Sequence, residues 1–185
     1  MTYDPTVHHR RSIRLRGHDY SQGGMYFVTI CCHDRQALFG EIVDGDMVLN
    51  KAGQAVVDSW DWLSKQHEHV RLNEFVIMPN HVHAIIEVVG AQCPAKNVGA
   101  QFIAPVFSAP DQGAMNRAPT VGMLVRAFKA RCTRAINGLW QTSGIPVWQR
   151  NYYEHIIRNE DAYLKIAEYV QTNPQRWKDD TYYIE

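Results

Sequence analysis

The chain has 185 residues, of which 45% are hydrophobic, enough for one domain with a core of its own. Its 19 Lys and Arg balance 19 Asp and Glu, and no apolar run approaches the roughly 18 residues needed to cross a bilayer. The opening MTYDPTVHHRRSIRLRG lacks the apolar stretch of a secretory signal, and the four cysteines form no CxxC pair; both point to reduced thiols inside a cell rather than a zinc knuckle or disulfide framework.

The N-terminal arm is basic, with Arg10, Arg11, Arg14 and Arg16 against Asp4. MYFVTICC (25–32) is rich in β-branched and aromatic residues and predicts a core strand. LFGEIVDGDMVLN carries two short apolar runs around Asp-Gly, the signal of a tight hairpin. Asn50 is a helix cap, and Ala52, Val56, Trp60 and Leu63 form one stripe of a helix reaching about His67. LNEFVIM (72–78) and HVHAIIEVV (81–89) predict two strands joined by a tight turn at Pro79-Asn80.

From Gly90 to Thr120 periodicity is lost. Four of the eight prolines fall here, VGAQ occurs at 89–92 and 98–101, and G-A-x-x-x-A-P occurs at 99–105 and 113–119. Two copies are too few for a repeat architecture, so the segment predicts a loop insertion of about 90–119 within a single domain spanning 1–185. Thr120 then caps a helix with Val121, Leu124, Val125, Phe128, Cys132 and Ile136 at helical spacing and Gly138 as its stop. VWQRNYYEHIIR (147–158) predicts a strand, and Asn159 caps a last helix that Pro174 ends. The order predicts an α+β, ferredoxin-like sandwich, with a mainly antiparallel sheet and helices packed on one face.

Net neutrality conceals an uneven distribution. No Asp or Glu occurs from Gln112 through Tyr153, where Arg126, Lys129, Arg131 and Arg134 line the polar flank of one helix. Such a flank is either a solvated face or a surface for a polyanion.

His81 and His83 share a strand face because side chains alternate along a strand. Taken alone they are either incidental imidazoles or half of a metal site. On the last helix, Tyr163, Ile166, Ala167 and Val170 form the core stripe, while Tyr169, Asn173 and Lys165 are one turn apart along its edge. Two imidazoles and the Asn173 amide oxygen would make a mixed N,N,O site for a divalent ion such as Mg²⁺ or Mn²⁺, with Tyr169 beside it as a nucleophile toward phosphorus.

MPNHVHAII resembles the His-hydrophobic-His motif of the HUH single-strand DNA endonucleases. Beyond that motif, SIRLRGHDYSQGGMYFVTICC, VRAFKARCTRAIN and WQRNYYEHIIRNEDAYLKIAEYVQTNPQRW resemble, in order, the N-terminal strand, basic helix and catalytic helix of the REP-associated tyrosine transposases, a single-tyrosine HUH group. The resemblance covers nearly everything except the insertion. It implies His81 and His83 as metal ligands, Tyr169 as nucleophile, and Asn173 where REP-associated relatives carry asparagine and insertion-sequence relatives glutamine. It further implies cleavage of single-stranded DNA near a hairpin, a REP-like palindrome, through a 5′-phosphotyrosine, by a prokaryotic, cytoplasmic, nucleoid-associated protein without a membrane partner. Arg10, Arg11, Arg14, Arg16, Arg126, Lys129, Arg131, Arg134 and Lys165 are the expected DNA contacts. Either a monomer or a homodimer fits the resemblance, and so does a domesticated hairpin-binding protein without catalysis.

Overall fold

A computed structural model describes residues 23–89 and 119–184; the arginine arm and all but the last residue of the insertion lie outside them. The elements run β1 (Gly24–Cys31), β2 (Gly40–Val43), β3 (Asp46–Leu49), α1 (Lys51–Gln66), β4 (Val70–Met78), β5 (His81–Val88), α2 (Val121–Leu139), β6 (Tyr153–Ile157) and α3 (Glu160–Thr172), followed by a 3₁₀ segment, Pro174–Asp179. Among the described residues no helix is long and apolar enough to cross a membrane.

The local signals of the sequence act where expected. Asp44 and Gly45 both have positive φ, the type I′ geometry that matches the twist of a two-residue hairpin, and they join β2 to β3. The Asn50 side chain accepts from the amides of Ala52 and Gly53 at 2.9 and 3.0 Å while donating to the Leu38 carbonyl, so one residue starts α1 and fixes it to the preceding loop. Asn159 caps α3 by accepting from the Ala162 amide at 2.8 Å.

Four strands form an antiparallel sheet in the order β4-β5-β1-β6. Tyr26, Val28 and Ile30 of β1 and Val82, Ala84 and Ile86 of β5 point to one face, under α1 and α2, where Trp60 stacks on Phe75 and meets Phe128 edge-on. Phe27, Ile85 and Ile157 point to the other, under Ala167 and Val170 of α3. The antiparallel sandwich is as expected, but its helices do not share one face. β1 and β5 are apolar at both parities, so each side of the sheet needs a cover, and α3 supplies the second.

Gly138 also differs from expectation: α2 continues through it to Leu139 and is capped by Trp140. The left-handed residue that ends the helix is Gln141, at φ 54°, with Gln141 N–H donating to the Gly138 carbonyl and Thr142 N–H to the Asn137 carbonyl, a Schellman closure. Gln141→Gly should therefore stabilise the protein by up to about 1 kcal/mol by removing the Cβ penalty of that conformation. Gly53→Ala should destabilise it by about 1–3 kcal/mol, because a Cβ there would lie 2.3 Å from the Phe39 carbonyl oxygen. Urea unfolding of both variants checks the opposite signs.

Candidate active site

Pairing between β1 and β5 sets Thr29 opposite His83 and Cys31 opposite His81, all on the face that carries α3. Both histidines are fully buried, at 0 and 1% exposure, yet their ring nitrogens are all engaged. Asn80 Nδ2 donates to the Tyr182 carbonyl at 2.7 Å and the Arg35 carbonyl at 3.3 Å, which leaves Asn80 Oδ1 to accept from His81 Nδ1 at 2.8 Å. The proton of His81 is thereby held on Nδ1, and its Nε2 presents a lone pair. That lone pair faces His83 Nε2 at 3.0 Å, while His83 Nδ1 lies 2.8 Å from the Thr29 hydroxyl. Two nitrogens this close are stable only with a proton on one of them or a cation between them.

α3 brings the tyrosine. The Tyr169 ring is 38% exposed, but its hydroxyl points inward, 3.2 Å from His83 Nε2 and 3.4 Å from Asp180 Oδ2. Asn173, one turn on, donates to the same Asp180 oxygen at 2.9 Å; its own Oδ1 is buried without a hydrogen-bond partner among the described residues. Tyr182 crosses above, its ring centroid 4.7 Å from that of His81, and the Arg35 guanidinium lies over the Tyr182 ring at 5.5 Å from its centroid. Burial pushes the Tyr169 hydroxyl up to about 12, and the Asp180 carboxylate adds to the rise, while Asn173 opposes it.

Of the sequence-predicted residues, the structure unites His81, His83, Tyr169 and Asn173. Tyr152 packs with the α1–α2 core and bonds Glu154; Tyr153 lies on the histidine face beside Phe27; Tyr163, expected in the core, is half-buried and donates to Glu74. Lys165 is exposed, and among the described residues no hydrogen bond or ion pair joins it to the site. Arg126, Arg131 and Arg134 are exposed on α2, across the sheet from the histidines, and Arg131 lies over the Trp62 ring at 4.7 Å. Lys129 differs from these: its ammonium is turned toward the backbone carbonyls of Gln149, Arg150 and Asn151. Arg10, Arg11, Arg14 and Arg16 lie outside the described residues.

Sequence reasoning missed Asp180, which sits in an acidic run that reads as solvated surface. Ligand atoms of His81, His83 and Asp180 lie within 4.8 Å of one another, forming a group able to hold a metal ion. The donors form a mixed nitrogen and oxygen set of the kind that holds a divalent cation: two neutral imidazoles and one carboxylate, with the orphaned Asn173 oxygen nearby. Thr29 and Asn80 orient the imidazoles from behind.

No family model matches the chain. It is 42% identical over 186 residues to an uncharacterised protein of Haemophilus influenzae, covering 99% of this chain and 98% of that one. A REP-associated tyrosine transposase bound to a REP hairpin superposes with a TM-score of 0.53 at 20% identity, over 87% of this chain and 72% of the other. A second solved structure, from Deinococcus radiodurans, aligns at a TM-score of 0.44 and 14% identity, over 85% and 95% of the two chains. The fold is thus that of a REP-associated tyrosine transposase; in this chain the histidine pair lies on the sheet and Tyr169 on the helix that covers it. Within that fold, the chain belongs to one family with the Haemophilus influenzae protein.

Burial lowers both imidazoles from 6.5 to about 3, so the native state keeps them neutral. The unfolded chain binds protons below about pH 6.5 that the native state refuses until about pH 3, so stability is full above this window and falls as pH drops through it. The slope is at most about 1.4 kcal/mol per pH unit for each histidine. Urea unfolding in EDTA between pH 7 and pH 4.5 should show a shallower loss in His83→Gln than in the parent; equal slopes would mean that His83 is not held neutral.

Proposed function

We propose that the protein is a metal-dependent single-stranded DNA endonuclease and strand transferase, acting beside a DNA hairpin through a covalent 5′-phosphotyrosine on Tyr169. One observation carries the reading: His81 Nε2, His83 Nε2 and the Tyr169 hydroxyl meet at successive separations of 3.0 and 3.2 Å, with Asp180 against them. The fold shared with a transposase bound to a REP hairpin supports a REP-like palindrome as the partner.

His81, His83 and Asp180, with Asn173 Oδ1, would hold Mg²⁺ or Mn²⁺, which when bound polarises a phosphodiester and offsets its developing charge. The protein's own groups supply the rest. Asn80 and Thr29 fix the two imidazoles, and Asn173 Nδ2 holds the Asp180 carboxylate in register with them. The Tyr169 oxygen forms a bond to phosphorus as the bond to the 3′-oxygen breaks, and the tyrosine's proton ends on the released 3′-hydroxyl. The product remains a phosphodiester, so attack by a 3′-hydroxyl reverses the step and rejoins strands without ATP. For a phosphate to reach the buried histidines, Tyr182 has to swing aside, releasing its ring from His81 and its carbonyl from Asn80, while Asp180 stays against them.

Single-stranded oligonucleotides carrying a hairpin, incubated with Mg²⁺ or Mn²⁺, should be nicked and should leave DNA attached to the protein. Tyr169→Phe should keep DNA binding and lose nicking and adduct by at least about 10³-fold. His83→Ala should lose metal-dependent cleavage while remaining folded. An adduct that persists in Tyr169→Phe and maps to Tyr153 would reassign the nucleophile. Binding without nicking by the parent would instead support a hairpin-binding protein whose chemistry has lapsed, a reading that the burial of both histidines under Tyr182 favours.

A further inference from the structure

Lys129 lies on α2, across the sheet from the histidines, yet its ammonium reaches the sheet's end. It donates to the backbone carbonyls of Gln149, Arg150 (3.2 Å) and Asn151 (3.4 Å). Burial pulls its pKa below the usual lysine range, as expected of an ammonium withdrawn from solvent. The segment it gathers is stitched to the end of β1 as well: Gln149 N–H donates to the Cys31 carbonyl, His33 N–H to the Val147 carbonyl, and Cys32 bridges Trp148. Cys31 is the residue opposite His81, and Tyr153, where β6 begins, is opposite Thr29 beside His83. Residues 149–151 therefore sit in line with the histidine end of the sheet, about two interstrand spacings, ~10 Å, from His81. Arg150 is exposed there.

We propose that Lys129 is a positioning residue: by binding three successive carbonyls it shapes Gln149–Asn151 into a rim that presents Arg150 to a phosphate of the substrate strand next to the scissile one. This rests on the functional reading above and gives Lys129 a different part from Arg126, Arg131 and Arg134, whose side chains face solvent. Contact with phosphate falls to Arg150, and the fixed backbone beneath it limits the entropy lost on binding.

Equilibrium binding of a single-stranded oligonucleotide across a salt series, to the full chain with Mg²⁺, tests the coupling. Arg150→Gln should weaken binding about fivefold at 0.1 M salt and lower the log–log slope by about 0.7, the share of one phosphate contact to a single strand. Lys129→Gln should cause the same loss, and the double variant should be no worse than either single one. Lys129→Arg, still able to donate to carbonyls, should restore binding and slope. Lys129→Met, which keeps the stem, replaces Lys129→Gln if the latter does not fold. A double variant weakened about 25-fold, with twice the slope change, would make Lys129 an independent phosphate contact and overturn the proposal. Unchanged binding in folded Lys129→Gln or in Arg150→Gln would overturn it too. If the parent itself neither binds nor nicks single strands, the functional reading fails with it; if the parent binds and the two residues act independently, this inference alone fails.

Discussion

The register between β1 and β5 governs the site. Thr29 meets His83 and Cys31 meets His81 only in the pairing observed, and a slip of one residue would turn both histidines into the core under α1 and α2. β5 lies between β4 and β1, so it has no free edge along which to slip, and apolar residues on both of its faces penalise displacement in either direction. The same enclosure removes the imidazoles from water. Desolvation then disfavours their protonated forms, and neutral imidazole is the form that ligates a metal.

A buried pair of this kind is tolerable because its polar atoms are engaged. Asn80 is the hinge of the network, with its amide donating to two carbonyls and its oxygen accepting from His81. Asp180 has a comparable position on the other side, accepting from the Tyr182 amide at 2.6 Å and from Asn173. Among the described residues Asn173 Oδ1 is the buried acceptor of the site without a partner, and a buried orphan is costly unless something else satisfies it. A cation held by His81, His83 and Asp180, as in the function proposed above, would satisfy it.

The two layers of helix divide the labour. α3 carries Tyr169 and Asn173 and packs on the histidine face, while α2 carries an exposed arginine flank on the far side. Lys129 is where these layers meet, because a long side chain can round the end of β1 and bind the backbone leading into β6. The polar rim thus comes from chain segments that the sheet, rather than proximity in sequence, collects at one end.

What the sequence determined by itself is what short-range rules control. Alternation placed His81 and His83 on one face, Asp-Gly set the hairpin through positive φ, and Asn50, Thr120 and Asn159 began the helices by accepting from amides two or three residues on. The one-turn spacing of Tyr169 and Asn173 was legible for the same reason. Even the second helical cover could have been read from the double-sided apolar pattern of β1 and β5. Only the tertiary structure decided that Asp180 joins the site, since an aspartate in an acidic run looks solvated until Trp177 is buried and the chain beyond Pro174 folds back over His81. Likewise only packing turned Lys129 from a surface charge into a backbone clamp, and chose Gln141 rather than Gly138 to end α2. Each of these depends on partners brought together by chain reversals and sheet pairing, and no rule with the reach of a helical turn contains that information.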